Sequence, residues 1–104
     1  MAEAARKVVV TGSIRSRPEC IDELLALSLA HVRRSRLEPG CLAHAVHRDV
    51  EDPLRLVFVE EWADRDALRV HFGVPASRDF IKAAARLASG APTMSLYEVE
   101  DLRV

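Results

Sequence analysis

Three side chains that could cooperate in catalysis lie close together in the segment VFVEEWADRDALRVHF, residues 57 to 72. Glu60 and Trp62 are two residues apart in a run rich in Val and Phe, so in a strand their side chains point to the same face. His71 follows in a phrase with helical spacing, which would fold back over that strand. The segment predicts one pocket for all three, with His71 as first candidate for a general base because imidazole titrates near neutral pH.

Each of these residues has a chemical role to fill in such a pocket. Glu60 would orient the second nitrogen of His71, and Trp62 would stack on a flat aromatic substrate. His44 is the reserve candidate for the base. His47 lies three residues further along the same strand-like segment, so one of the two would face the cavity and the other the opposite side, and either could be only a solvated strand residue. Structural roles stay open as well: a helix cap or buried ion pair for His71 with Glu60, and core or dimer packing for Trp62.

The pocket would also need an apolar lining, for which Phe58, Phe72 and Phe80 are the candidates, although a helix packed on a sheet needs such residues anyway. Cys20 and Cys41 are the only cysteines, and neither belongs to a CxxC pair. Reducing surroundings would keep both as thiols. The cysteines therefore predict neither a metal site nor a disulfide.

The elements that would position these residues alternate between strand and helix patterns. Strands are predicted at residues 7–15, 41–48, 55–62 and 93–100. A capping box of Ser16 and Glu19 predicts the start of a long helix, and Pro39-Gly40 predicts its end. Two shorter helices, over residues 64–72 and 77–88, would follow. The predicted order is β-α-β-β-α-β.

That order is typical of the split βαβ, or ferredoxin-like, α+β fold, in which an antiparallel sheet carries its helices on one face. The third predicted strand is apolar on both sides, since Leu56, Phe58 and Trp62 point one way and Val57 and Val59 the other. The helices can cover only one of these faces. We therefore expect a homodimer, in which a second copy covers the other face and completes a dimeric α/β barrel.

Length and charge narrow the classes of protein further. A chain of 104 residues predicts one domain, residues 1–104, with a core from about 7 to 100. The net charge is −1, from 15 basic and 16 acidic residues without a Lys/Arg cluster, so nucleic-acid binding is not expected. No stretch suits a signal peptide or a membrane span. We expect a cytoplasmic protein with no membrane partner.

Five short phrases occur in the order and at roughly the spacings of a known family: Glu38-Pro39-Gly40-Cys41, Asp52-Pro53, Glu60-Glu61-Trp62, Ala67-Leu68 and His71-Phe72. On these phrases the chain resembles the antibiotic biosynthesis monooxygenase family of dimeric α+β barrels. The resemblance implies oxidation of a quinol or polyketide without a cofactor, so none is expected. Similar sequences include haem-degrading enzymes, isomerases and proteins without an established reaction. Haem is not expected, because the haem-ligating histidine of that branch falls near Ile81.

The predicted function is therefore a cofactor-independent monooxygenase that oxidises a small aromatic or quinol-type molecule. A base would deprotonate the phenol in a dry cavity, so that the anion can pass an electron to O₂. Two alternatives stay open. The first is a dimer that binds a small ligand, or acts in a stress response, without catalysis, and the second is an isomerase that uses His71 or His44 on a small carbonyl compound.

Overall fold

A computed structural model describes residues 6–104 of the chain. Its strands are β1 (Lys7–Arg15), β2 (Cys41–Arg48), β3 (Arg55–Trp62) and β4 (Thr93–Val99). Its α-helices are α1 (Ile21–Ser35), α2 (Arg65–Gly73) and α3 (Pro75–Leu87), and a 3-10 turn at Pro18–Cys20 precedes α1. Within these residues the strands form one antiparallel sheet of order β2-β3-β1-β4. The predicted α+β, ferredoxin-like arrangement is confirmed, with two helices in its second crossover.

The two faces of β3 differ in the way that the sequence predicts. Leu56, Phe58 and Trp62 point toward the helices and are 0%, 7% and 0% exposed. Val57 and Val59 point to the opposite face, where they are partly exposed. Burial of each large apolar side chain contributes about 1.5–3 kcal/mol to folding. The helical face of the sheet therefore carries the core of the monomer.

That core is divided into two apolar clusters. The larger lies beneath α1 and α3 and contains Ile14, Leu24, Val32, Leu56, Phe58, Ala84 and Leu87. The smaller lies beneath α2 and contains Val8, Val10, Trp62 and Leu68. The helical face of β3 contributes residues to both clusters, and Glu60 lies between them at 6% exposure. A carboxyl group is thus placed in an otherwise apolar row.

The start of α1 differs from the prediction, because Ser16 and Glu19 do not form a capping box. The backbone N–H of Ser16 donates to the carbonyl of Leu54 at 2.8 Å, and its hydroxyl donates to the carbonyl of Arg17. Ser16 is therefore held at the end of the sheet and cannot cap a helix. The chain first makes the 3-10 turn, and α1 begins at Ile21.

The loop after α1 approaches α2 closely at Gly40. Gly40 has a φ of +79°, a left-handed conformation that favours glycine. A Cβ atom built at this position would lie 2.5 Å from the Cβ of Ala67, so any larger residue would push the loop away from α2. The carbonyl of Gly40 also accepts a hydrogen bond from the N–H of Ala63 at 2.8 Å. This contact holds residues 38–41 against α2.

The next two helices follow each other almost without a break. The side chain of Asp64 accepts a hydrogen bond from the N–H of Ala67 at 2.8 Å, as expected of an N-cap residue. α3 begins at Pro75, two residues earlier than predicted, since proline is well tolerated in a first helical turn. Among the helices of residues 6–104, none combines the length and apolarity needed to cross a bilayer.

Candidate functional site

A cavity of about 260 Å³ lies between the sheet and the helices. Its walls are mostly apolar and include Phe58, Phe72 and Phe80, the three phenylalanines predicted as its lining. One end of the cavity is different, because four buried ionisable side chains meet there. We call these four residues the polar cluster: His31 from α1, His44 from β2, Glu60 from β3 and His71 from α2.

A second, shallower depression of about 380 Å³ lies between α2 and β4. Arg65 and Glu98 at its edge form an exposed ion pair. Exposed charges of this kind are screened by water, and the residues around this depression include no buried ionisable side chain. The cavity with the polar cluster is therefore the better candidate for a site.

His71 lies in the last turn of α2 and is 3% exposed. Its Nδ1 lies 2.9 Å from Oε1 of Glu38, whereas its Nε2 lies 3.9 Å from Oε1 of Glu60. The hydrogen-bond partner is thus Glu38 and not Glu60, the residue that the sequence suggested for this role. A neutral His71 that donates Nδ1–H to Glu38 keeps a free lone pair on Nε2. The close approach at Gly40 brings Glu38 within reach of His71.

Glu60 is held by the residue that follows it on the same face of β3. The indole Nε1–H of Trp62 donates to Oε1 of Glu60 at 2.9 Å. Burial raises the pKa of Glu60, although the hydrogen bond from Trp62 opposes this rise. Trp62 is fully buried, does not line the cavity, and packs against the ring of His71 with the ring centroids 4.5 Å apart. In this position Trp62 orients Glu60 and His71, and its predicted stacking on a substrate stays a prediction.

His44 lies opposite Glu60 across the β2–β3 pairing. Its side chain is fully buried, and within the described residues neither ring nitrogen makes a hydrogen bond. Nε2 lies 3.5 Å from Oε2 of Glu60, but the contact lacks hydrogen-bond geometry. Burial, together with the nearby His71, lowers the pKa of His44 to about 4. His47, three residues away, is exposed on the other side of the sheet, as predicted.

His31 is a site residue that sequence reasoning missed. It lies on the buried face of α1, at helical spacing from Leu24 and Ser28, so the periodicity of α1 could have revealed it. Its ring stacks on Phe80 with centroids 4.2 Å apart, and its Nδ1 lies 2.6 Å from Nη2 of Arg34. Because arginine can only donate, Nδ1 is the acceptor. Burial lowers the pKa of His31 to about 3.

The polar cluster is thus chemically unusual for a core. His31 and His44 are neutral at pH 7, and His44 offers an unprotonated nitrogen that no hydrogen bond occupies within the described residues. Nε2 of His71 can accept a proton, and the carboxylate of Glu38 would stabilise the imidazolium that forms. A small flat molecule in the cavity would meet apolar walls and, at one end, groups that can take or give a proton.

Comparison with known proteins gives a family and a fold. The sequence profile described as antibiotic biosynthesis monooxygenase matches residues 7–83. A Synechocystis protein described as uncharacterized is 30% identical over 94 residues, which span 90% of this chain and 64% of the relative. The chain thus covers just under two thirds of that relative.

Solved structures share the fold over almost the whole chain. One described as an antibiotic biosynthesis monooxygenase is 31% identical, with a TM-score of 0.84 and coverage of 90% of this chain and 99% of the other. Rv0793 from Mycobacterium tuberculosis is 23% identical, with a TM-score of 0.86 and coverage of 94% and 99%. A Deinococcus radiodurans protein is 24% identical, with a TM-score of 0.88 and coverage of 93% and 96%.

Proposed function

The chain belongs to the antibiotic biosynthesis monooxygenase family, and we propose that it oxidises a small phenol or quinol-type molecule with O₂, without a metal or an organic cofactor. The observation that carries this proposal is the pairing of His71 with Glu38 beside an apolar cavity of about 260 Å³. This pairing leaves one nitrogen of a buried imidazole free to take the phenolic proton. The printed name of a 31% identical structure supports the same reaction class.

The reaction begins when Nε2 of His71 accepts the proton of the substrate hydroxyl. Glu38 holds the ring through Nδ1–H and stabilises the imidazolium. The phenolate, shielded from water by Phe58, Phe72 and Phe80, then transfers an electron to O₂. One oxygen atom ends on the ring, the other leaves as water, and the phenol becomes a quinone. The substrate supplies all four electrons, so the balance needs no other reductant.

Oxygen uptake by purified protein treated with a chelator tests this proposal. With a panel of phenols and hydroquinones, we expect oxygen uptake above that of buffer and incorporation of one ¹⁸O atom from ¹⁸O₂ into the product. His71→Ala should lower kcat by about 10²–10⁴-fold, the usual contribution of a general base. His47→Ala is the matched control, because this exposed histidine lies outside the cavity. No uptake above buffer with any of these compounds would contradict the proposal.

A second candidate, an isomerase of a small carbonyl compound, is favoured by one observation. Burial raises the pKa of Glu60, and its Oε1 lies 3.9 Å from Nε2 of His71, so a carboxyl group and an imidazole face each other. Such an acid and base pair could move a proton between two carbon atoms. Exchange of substrate hydrogen for deuterium without oxygen uptake, lost in His71→Ala, would select the isomerase. A panel that binds without either reaction would select a non-catalytic binding protein.

We also propose that the protein acts as a homodimer in the cytoplasm. Val59 on the sheet face opposite the helices is 38% exposed, and Tyr97 on the outer strand β4 is 52% exposed. A second copy stacked on this face would bury both residues. Cys20 and Cys41 are free thiols, which suits a reducing compartment. We expect Val59→Lys to shift the sedimentation coefficient from dimer to monomer, with Val50→Lys in an exposed loop as control, whereas a wild-type monomer at micromolar concentration would contradict the dimer.

A further inference from the structure

The polar cluster brings three imidazoles from three different elements to one point. One nitrogen each of His31, His44 and His71 lies within 4.8 Å of the other two. All three side chains are buried, at 6%, 2% and 3% exposure. The carboxylate of Glu60 borders the same space, 3.5 Å from Nε2 of His44 and 3.9 Å from Nε2 of His71. Imidazole nitrogen and carboxylate oxygen together are a common donor set for transition metals.

His44 is the residue that packing alone explains least. A neutral imidazole has one N–H donor and one lone pair, and in His44 both nitrogens are buried without a hydrogen-bond partner among residues 6–104. Buried polar groups normally have partners, because an unmade hydrogen bond costs free energy. A bond from Nε2 to a cation would use the lone pair that has no hydrogen-bond donor within the described residues. The position of His44 therefore points to a ligand of electrophilic character.

His71 has the arrangement found around metal-binding histidines. Its Nδ1–H donates to the carboxylate of Glu38, which holds the ring and increases the electron density at Nε2. Metal-ligating histidines almost always make such a second hydrogen bond to a carboxylate, a carbonyl or water. The free Nε2 faces Glu60 and the space bordered by His44. Glu38 would thus be an outer-shell residue, and His71 a ligand.

We propose that His44, His71 and Glu60, with His31 as a fourth ligand, bind a divalent first-row transition-metal ion such as Zn²⁺ or Co²⁺. In a tetrahedral site with bonds of about 2.0–2.1 Å the ligand atoms are roughly 3.4 Å apart. The three imidazole nitrogens lie within 4.8 Å of one another, so they must close in by at most about 1.4 Å. Calcium and magnesium are disfavoured, because they prefer all-oxygen ligand sets.

Arg34 competes with the proposed metal. Its guanidinium donates to Nδ1 of His31, which leaves the proton of the neutral ring on Nε2. His31 can bind a metal only after Arg34 releases Nδ1, either through Nδ1 itself or through Nε2 once the proton has moved to Nδ1. His44, His71 and Glu60 therefore form the first ligand set, and His31 joins after Arg34 moves. The proposed metal site overlaps the proposed oxidation site, because a metal on Nε2 of His71 would occupy the base and inhibit that reaction.

Titration of the chelator-treated full chain with Co²⁺ or Zn²⁺ tests the site without any substrate. We expect one equivalent of metal per chain by calorimetry, and a Co²⁺ visible spectrum of the intensity typical of four-coordinate ions. His44→Ala and His71→Ala should each weaken binding by more than tenfold, and Glu38→Gln by about 10–100-fold, the usual effect of an outer-shell change. His47→Ala should bind as wild type does.

Arg34→Gln gives an independent test that keeps every proposed ligand. Loss of the competing cation should tighten Zn²⁺ binding several-fold, and circular dichroism would confirm that each variant is folded. Unchanged affinity in Arg34→Gln would remove His31 from the ligand set. A Co²⁺ spectrum like that of the hydrated ion, or binding that survives in folded His44→Ala and His71→Ala, would show adventitious binding and overturn the proposal. Because no substrate is used, this outcome is separate from failure of the proposed oxidation.

Discussion

The larger apolar cluster and the polar cluster are both buried, but they differ in how well burial suits their side chains. The polar cluster contains atoms that need hydrogen-bond partners, whereas the apolar cluster does not. Leu24, Val32 and Leu56 in the apolar cluster are 1% exposed or less and need only close packing. In the polar cluster, His44 is just as deeply buried, yet both of its nitrogens lack a hydrogen bond within residues 6–104. Burial therefore stabilises the first region and costs stability in the second.

This difference indicates which part of the sheet is available for chemistry. One row on β3 contributes Leu56 and Phe58 to the first region, and the next residue of the row is Glu60. A fold selected for stability alone would continue the row with apolar residues, because replacing buried ionic groups by hydrophobic ones is often stabilising. The buried carboxyl and imidazoles are therefore best explained by binding or catalysis. The predictions below test this contrast, from the largest expected effect to the smallest.

The largest effect of a single substitution is expected at Leu56, in the apolar cluster. Leu56→Ala removes a fully buried side chain and leaves a cavity, so the free energy of unfolding should fall by about 2–5 kcal/mol. Urea unfolding followed by the fluorescence of the buried Trp62 would measure this loss. Val50→Ala, in an exposed loop, should change stability by less than about 0.5 kcal/mol. A loss below about 1 kcal/mol at Leu56 would show that this region is loosely packed.

The next effect is a pH dependence that arises in the polar cluster. Unfolded histidine titrates near 6.5, whereas burial lowers the pKa of His44 to about 4 and that of His31 to about 3. Between about pH 6.5 and 4 the unfolded chain therefore binds more protons. The free energy of unfolding should therefore decrease as the pH is lowered, by up to about 1.4 kcal/mol per pH unit for each histidine. Urea unfolding at half-unit steps of pH measures this slope.

Glu60 should weaken this pH dependence, and substituting it tests the argument. Its raised pKa means that the folded state holds the carboxyl proton more tightly, so Glu60 opposes the slope from the histidines. Glu60→Gln should therefore steepen the loss of stability on acidification. Other groups near the histidines, Arg34, Arg36 and His71, keep the direction, since each lowers the pKa of His44. A wild-type stability that is flat or rises from pH 6.5 to 5 would contradict neutral buried histidines.

Much of the fold could be predicted from the sequence because local patterns decide it. β2 and β3 have the predicted bounds, 41–48 and 55–62, since two strand-like runs flank a turn-rich segment. The cap at Asp64 was visible in the same way. The start of α1 was not, because the backbone of Ser16 is bound by Leu54, a residue distant in the sequence. Long-range hydrogen bonds override a local capping signal.

The site was harder to predict than the fold because its partners are remote in sequence. Glu38 and His71 are 33 residues apart, and their contact depends on the close approach at Gly40. The strand pattern of β3 brought Glu60 and Trp62 together correctly, but Trp62 binds Glu60 and does not line the cavity. The sequence predicted no metal site from its cysteines, whereas the histidine arrangement became visible only after α1, β2 and α2 were packed together.

A smaller effect is expected at Asp64, the N-cap of α2. This helix contributes residues to both the smaller apolar cluster, through Leu68, and the polar cluster, through His71. Asp64→Ala removes the hydrogen bond to the N–H of Ala67 and should cost about 1 kcal/mol in urea unfolding. Asp66→Ala, a neighbouring acid that does not cap the helix, is the control. Equal losses in both variants would mean that charge, and not capping, stabilises α2.

The smallest effect, and the sharpest test of the contrast, is expected at His44. His44→Leu replaces a buried ring with two unpaired nitrogens by an apolar side chain of similar size, so stability should stay constant or rise by about 1 kcal/mol. Urea unfolding at pH 7 would measure this change, and Zn²⁺ binding should be lost in the same variant. A decrease of more than about 1 kcal/mol in the free energy of unfolding would mean that the ring nitrogens of His44 have hydrogen-bond partners in solution. The polar cluster would then be a stabilising part of the core, and the contrast with the apolar cluster would disappear.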